Sequence, residues 1–244
     1  MRAALRQGRA RVIFYRPFAL KLDAMTLDAR HPRLFKRPFS TGELLADGIV
    51  HALALLAGLI AFPLLLFHAL QTSGLGVVAA LSVYAAGFFL MFGFSLAYNM
   101  TPPSALKWLL RRFDHSMIYV MIAGTYTAVI PHLEHAAWAW ALGIVVWTGA
   151  ALGILVKVVL PGRYDRLSIL AYILLGWVGV IAIGPVSAAL PAVSFWLLAA
   201  GGLTYVAGVG FYVWKGLKFH NAIWHIFVAI AAGLHFAAIA VSVA

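Results

Sequence analysis

Seven stretches of this chain are too long and too apolar for a fold that must present its surface to water. They fall near 47–70, 76–99, 115–132, 137–157, 168–185, 192–213 and 221–243. Crossing the hydrocarbon core takes roughly 20 mostly apolar residues, and each stretch meets or approaches that length. Polar, Gly or Pro breaks separate them, among them Gln71-Thr72-Ser73-Gly74, Thr101-Pro102-Pro103-Ser104, Pro161-Gly162-Arg163 and Lys215 to Asn221. In lipid every backbone group needs an internal partner, which leaves helices or a closed barrel. The period-two alternation of barrel strands is absent. The expected fold is therefore an all-α integral membrane bundle of seven transmembrane helices over 41–244, preceded by a basic segment over 1–40.

Composition agrees. Of 244 residues, 64% are hydrophobic and only 10% are charged, against about 25% charged in soluble domains. There is no cysteine, so disulfides and thiolate metal sites are excluded.

The formal net charge of +11 raises the question of a nucleic-acid partner, and the distribution of the bases answers it. Ten Lys or Arg precede residue 41; the other eight are Lys107, Arg111, Arg112, Lys157, Arg163, Arg166, Lys215 and Lys218. With seven spans, all 18 fall on one side, which the positive-inside rule makes cytoplasmic. The expected amino terminus is cytoplasmic and the carboxyl terminus outside. The bases read as a topology signal and an attraction to anionic lipid headgroups at the cytoplasmic face, with no nucleic acid. The first 24 residues lack a secretory signal pattern, since Arg16-Pro17 interrupts their apolar run. The 1–40 segment is compatible with a surface-lying amphipathic stretch or with disorder, and Met25 offers an alternative start.

Polar residues inside the spans concentrate at one depth. Glu43, Asp47 and His51 are spaced by four and form one stripe at the start of the first helix. Ser95 and Asn99 end the second helix, Asp114 and His115 open the third, and Asn221 and His225 open the seventh, with His235 deeper. Ionisable groups in a span are costly and face the bundle interior, so four helices point to a shared pocket on the cytoplasmic side. Ordinary structural roles compete with this reading. Ser40-x-x-Glu43 matches a capping box, Asp47 could be solvated at headgroup depth, and Asp114 suits an N-cap. His51, His225 and His235 could serve interhelical hydrogen bonds alone. His31, His68, His132, Glu134 and His135 read as solvated, and Gly201-Gly202 and Gly208-x-Gly210 as close-packing positions.

These motifs carry a family resemblance running from about Glu43 to the carboxyl terminus. Ser95-Leu96-Ala97-Tyr98-Asn99, Arg112-Phe113-Asp114-His115-Ser116, Ala123-Gly124-Thr125-Tyr126-Thr127 and Asn221-Ala222-Ile223-Trp224-His225 resemble the hemolysin III family, bacterial relatives of the progestin and adiponectin receptors and of the alkaline ceramidases. The resemblance implies a multi-pass protein of the bacterial inner membrane. In the wider superfamily a Ser-x-x-x-His, an Asp and a His-x-x-x-His pattern hold Zn2+ and position its water, so Ser95 and Asp114 would be catalytic residues of a hydrolase and His225 a ligand. Here Asn99 and Asn221 stand where two of the three imidazoles are expected, and a carboxamide is a weaker zinc ligand. A rebuilt metal site of His51, His225 and Asp114 is the alternative set; His220 is turned about 100° from Asn221.

Three functions follow as expectations. The first is a non-enzymatic role in membrane homeostasis or sensing, with the pocket taking an ion or a lipid ligand. The second is a zinc-dependent hydrolase of a lipid amide. The third is a pore-forming cytolysin, disfavoured because no intramembrane polar stripe runs the full length of a helix.

Overall fold

The computed structural model describes residues 39–244; the expected 1–40 segment lies almost wholly outside them. The described residues are all helical, without strands: α1 (Thr41–Thr72), α2 (Leu75–Met100), α3 (Ala105–Val129), α4 (Ala136–Val159), α5 (Asp165–Gly176), α6 (Ile183–Ala189), α7 (Ala192–Val213) and α8 (His220–Val243). Six membrane-length apolar rods result, with α5 and α6 joined as one over Asp165–Ala189. The seventh long helix is α3, whose first turns carry Lys107, Arg111, Arg112 and Asp114.

α1 shows why these helices belong in lipid. Its buried face reads Glu43, Asp47, His51, Ala54, Gly58, Phe62, Leu65 and Ala69, at helical spacing. Its outward face carries Leu53, Leu59, Ile60 and Leu64, between 60% and 67% exposed. Polar and small side chains inside, with large aliphatics outside, would be untenable in water and are natural in a bilayer. The helix starts at the expected capping box, with Ser40 and Glu43 bonding each other's backbone N–H groups.

α1, α2 and α8 share one apolar core built around Phe62, Tyr84, Phe88 and Ile239. α2 and α3 approach backbone to backbone. A Cβ on Gly87 would lie 3.2 Å from the Val120 carbonyl, and one on Gly124 would lie 3.2 Å from Tyr84 Cα. This close approach fixes the pair. Gly201, Gly202 and Gly208 likewise sit against His235, Trp177 and Phe227, whereas Gly210 faces open space.

Two boundaries differ from expectation. α3 begins at Ala105, capped by the Ser104 hydroxyl on Lys107 N at 3.1 Å. Asp114 therefore lies inside the helix and is no N-cap; Trp108 and Arg111, both buried, carry the helix out of the apolar run, with Arg111 paired to Asp165. The expected span 168–185 is also not one helix. α5 stops at Gly176, a 3-10 turn covers Val178–Ala182, and α6 resumes at Ile183. Tyr126 of α3 joins the break: its hydroxyl donates to Gly176 O at 2.7 Å and accepts from Gly179 N at 2.8 Å.

Candidate polar site

At the end of the bundle where α1, α3 and α8 begin, the four-residue spacings place polar side chains on facing surfaces. Glu43, Asp47 and His51 look inward from α1, and all three are buried. Glu43 Oε1 accepts from Phe219 N at 3.1 Å. Phe219 is the left-handed residue that starts α8, so Glu43 both caps its own helix and seats the start of another.

Asp47 is 2% exposed, which corrects any placement of it in headgroup water. Its Oδ1 takes His225 Nδ1 at 2.5 Å, and its Oδ2 takes Asn221 Nδ2 at 3.2 Å. Its backbone carbonyl meets His51 Nδ1 at 2.8 Å. A carbonyl only accepts, so His51 Nδ1 carries the hydrogen, and in neutral imidazole its Nε2 then bears a lone pair. That Nε2 is buried and has no hydrogen-bond partner. The same logic protonates His225 Nδ1 and turns its Nε2 lone pair toward Ser95 Oγ, 3.4 Å away. The two rings meet edge to face, with centroids 4.3 Å apart. One residue, Asp47, thus orients both imidazoles.

The carboxamides close the other side. Asn221 Nδ2 donates to Asn99 Oδ1 at 3.1 Å, and Asn99 Nδ2 donates to Ser95 O at 2.9 Å. Asp114 interacts electrostatically with His225 and with Ser95, and its Oδ2 lies 2.9 Å from His115 Nδ1. Ser95, Asn99, Asp114, His115, Asn221 and His225 line one large chamber, of about 1960 Å3, which His51 and His235 also reach. His235 sits apart in that chamber's wall, its Nε2 3.2 Å from the Leu198 carbonyl. His220 packs on Phe39, ring centroids 5.7 Å apart. At the opposite end Glu134 and His135 are exposed, whereas His132 is half-buried with Nε2 3.3 Å from Ser242 Oγ.

Two metal-ligand sets were open from sequence. At the positions of the three-imidazole set, Asn99 and Asn221 bond each other, so that set does not fit zinc. A different group, Asp47, His51 and His225, keeps its ligand atoms within 4.8 Å of one another. It could hold a metal ion, and the orphaned His51 Nε2 fits that use. Metal-binding imidazoles usually donate their other N–H to a carboxylate or carbonyl, as both do here to Asp47. The carboxylate that joins the two histidines in this group is Asp47; Asp114 belongs to the chamber wall beside it.

Sequence reasoning missed a second buried cluster. Arg111 Nη2 lies 2.8 Å from Asp165 Oδ2, and Lys157 Nζ lies 3.1 Å from Asp165 Oδ1. The available signal was Lys157 inside an apolar run, eight residues before the acid of a basic loop.

The Haemolysin-III related family model matches residues 43–236, which takes in every residue of the polar site. The chain belongs to the Haemolysin-III related family. It is 34% identical to Hemolysin-3 of Bacillus cereus over 194 residues, covering 80% of this chain and 89% of that protein. Against the Hemolysin-3 homolog of Bacillus subtilis (strain 168) the identity is 33% over 190 residues. The Monocyte to macrophage differentiation factor of Homo sapiens is 30% identical over 127 residues, 52% of each chain, in keeping with the expected relation to the progestin and adiponectin receptors. Family and apolar helices together make this a multi-pass membrane protein.

Proposed function

We propose that this haemolysin III-family protein is a non-enzymatic sensor in membrane homeostasis, crossing the bacterial inner membrane seven times with its basic end in the cytoplasm. The observation that carries the reading is the Asn99–Asn221 hydrogen bond. Two positions that a zinc hydrolase of this superfamily needs as imidazoles are spent on each other. The placement of Lys107, Arg111, Arg112, Lys157 and Arg166 near one end supports the orientation. The apolar walls of the adjoining chamber favour a ligand drawn from the bilayer.

A second reading concerns the ion. Two imidazoles, with Asp47 already bonded behind both, fall short of the four protein ligands of a structural zinc site. They suit an exchangeable divalent cation, and the partnerless His51 Nε2 favours it. Such an ion would supply charge to the pocket, and Asp47 would orient both histidines toward it.

The test uses purified protein in lipid nanodiscs. Expected are loosely held zinc, no fatty acid released from a fluorescent ceramide, and thermal stability that follows lipid composition. Asp114→Ala should flatten that lipid response, and Glu134→Ala should leave it unchanged. Stoichiometric zinc, lost together with ceramide hydrolysis in His225→Ala, would overturn the sensor in favour of the hydrolase. Equal tolerance of Asp114→Ala and Glu134→Ala would remove the site altogether.

A further inference from the structure

The chamber beside the polar site has a chemical polarity that the trio of Asp47, His51 and His225 does not explain. Its length is apolar: Met91, Ile118, Met121, Ile122, Val129 and Leu198 all line it. It follows α3 from Arg111 to Val129, about 27 Å at 1.5 Å per residue. Its end nearest the starts of α3 and α5 is basic. Among the described residues, Lys107, Arg111, Lys157, Arg166 and Lys215 line the chamber together with the carboxylates of Asp114 and Asp165. The described lining therefore holds three more basic than acidic side chains, histidines aside.

The charges are held in a built arrangement. Lys157 is 1% exposed and Arg111 is 7% exposed, and both converge on the Asp165 carboxylate, one base to each oxygen. Asp165 enters just after Tyr164, whose left-handed backbone turns the chain into α5. Lys107 donates to the carbonyls of Tyr98 at 2.8 Å and Thr101 at 2.7 Å. These bonds satisfy its hydrogens without cancelling its charge, because carbonyls are neutral acceptors. Buried cations are costly unless paired, and Arg111 and Lys157 share the Asp165 carboxylate.

We propose that this end of the chamber binds the phosphate head of a single-chain lipid from the cytoplasmic leaflet, with the acyl chain lying along α3. Asp165 then acts as a tethered internal competitor that occupies Arg111 and Lys157 until the phosphate arrives. A phosphate monoester carries nearly two charges at neutral pH, which matches the surplus better than a single carboxylate does. Arg111 supplies the forked donor geometry suited to phosphate oxygens. The inference rests on reading the chamber as a lipid pocket, and names the class of lipid and its contacts.

The experiment compares dodecyl phosphate, dodecanoate and dodecanol as ligands of the full chain in phosphatidylcholine nanodiscs, by thermal shift and titration, with inorganic phosphate as a further arm. Dodecyl phosphate should bind at least tenfold more tightly than dodecanol and severalfold more tightly than dodecanoate, and inorganic phosphate should produce no shift. Arg111→Gln should weaken dodecyl phosphate at least tenfold. The exposed Arg166→Gln, which costs the fold little, should weaken it two- to threefold. Asp165→Asn should enlarge the thermal shift given by dodecyl phosphate, even if the variant starts less stable. Equal binding of dodecanol and dodecyl phosphate would overturn the phosphate site while keeping a lipid chamber. No shift from any amphiphile would overturn both. A shift with inorganic phosphate alone would reduce the site to a free-anion site, and a smaller response in Asp165→Asn would show that Asp165 is no competitor.

Discussion

Asp47 and His225 are 178 residues apart in sequence and share a 2.5 Å hydrogen bond in the interior. Through it the first helix of the bundle is tied to the last. His51 is oriented by the same residue's backbone, so the geometry of both imidazoles depends on one aspartate.

Asp47→Asn should therefore destabilise the protein by about 1.5–3 kcal/mol, the range for a hydrogen bond to a charged group. The thermal midpoint in nanodiscs should fall accordingly, while Glu134→Gln on the exposed loop stays at the wild-type value. A midpoint for Asp47→Asn equal to that of Glu134→Gln would mean the pair contributes nothing.

Restoring imidazoles should restore zinc. In an Asn99→His/Asn221→His variant, the new side chains would start from positions whose carboxamides already touch at 3.1 Å, with Asn221 one turn before His225 on α8. With three neutral imidazoles available, zinc should co-purify at close to one ion per chain and survive dialysis. A folded double variant that still loses its zinc would show that the helices are set at the wrong distance.

The α2–α3 contact predicts a contrast between glycines. Val at position 87 or 124 would press a side chain against backbone that already lies 3.2 Å from the missing Cβ. Either Gly87→Val or Gly124→Val should cost about 1–3 kcal/mol through overpacking. Gly93→Ala on the same α2 meets nothing within 4 Å and should be neutral or mildly stabilising. Thermal unfolding of the three variants decides it.

Tyr126→Phe should loosen the join between α5 and α6. It removes the acceptor of Gly179 N and the donor to Gly176 O, at a cost of about 1–3 kcal/mol. Hydrogen exchange at Gly179 should accelerate while peptides from α1 keep their protection. Unchanged exchange at Gly179 would place its hydrogen bond elsewhere.

The spans were legible because lipid leaves the backbone few choices: the apolar run 192–213 coincides with α7. The start of α3 was not, since Lys107 and Arg111 read like loop residues until their partners outside α3 are known. Nor was the break after Gly176, because an apolar run looks the same whether continuous or interrupted, and the residue that satisfies it lies 50 positions away. Within the site, the spacing of Glu43, Asp47 and His51 announced a common face. Which carboxylate meets His225 depends on how α1 is rotated against α8, and that is written in packing between distant segments.

The rod formed by α5 and α6 gives the chamber a wall of a particular kind. Two peptide groups in a lipid-facing segment hang on one phenolic oxygen borrowed from a neighbour, where α2 relies on its own helical ladder. On the proposed reading of the chamber as a lipid pocket, fluctuations of bilayer thickness would be absorbed first at that stitched point, and side entry would be tuned at a seam some distance from the histidines, without touching the polar residues at all.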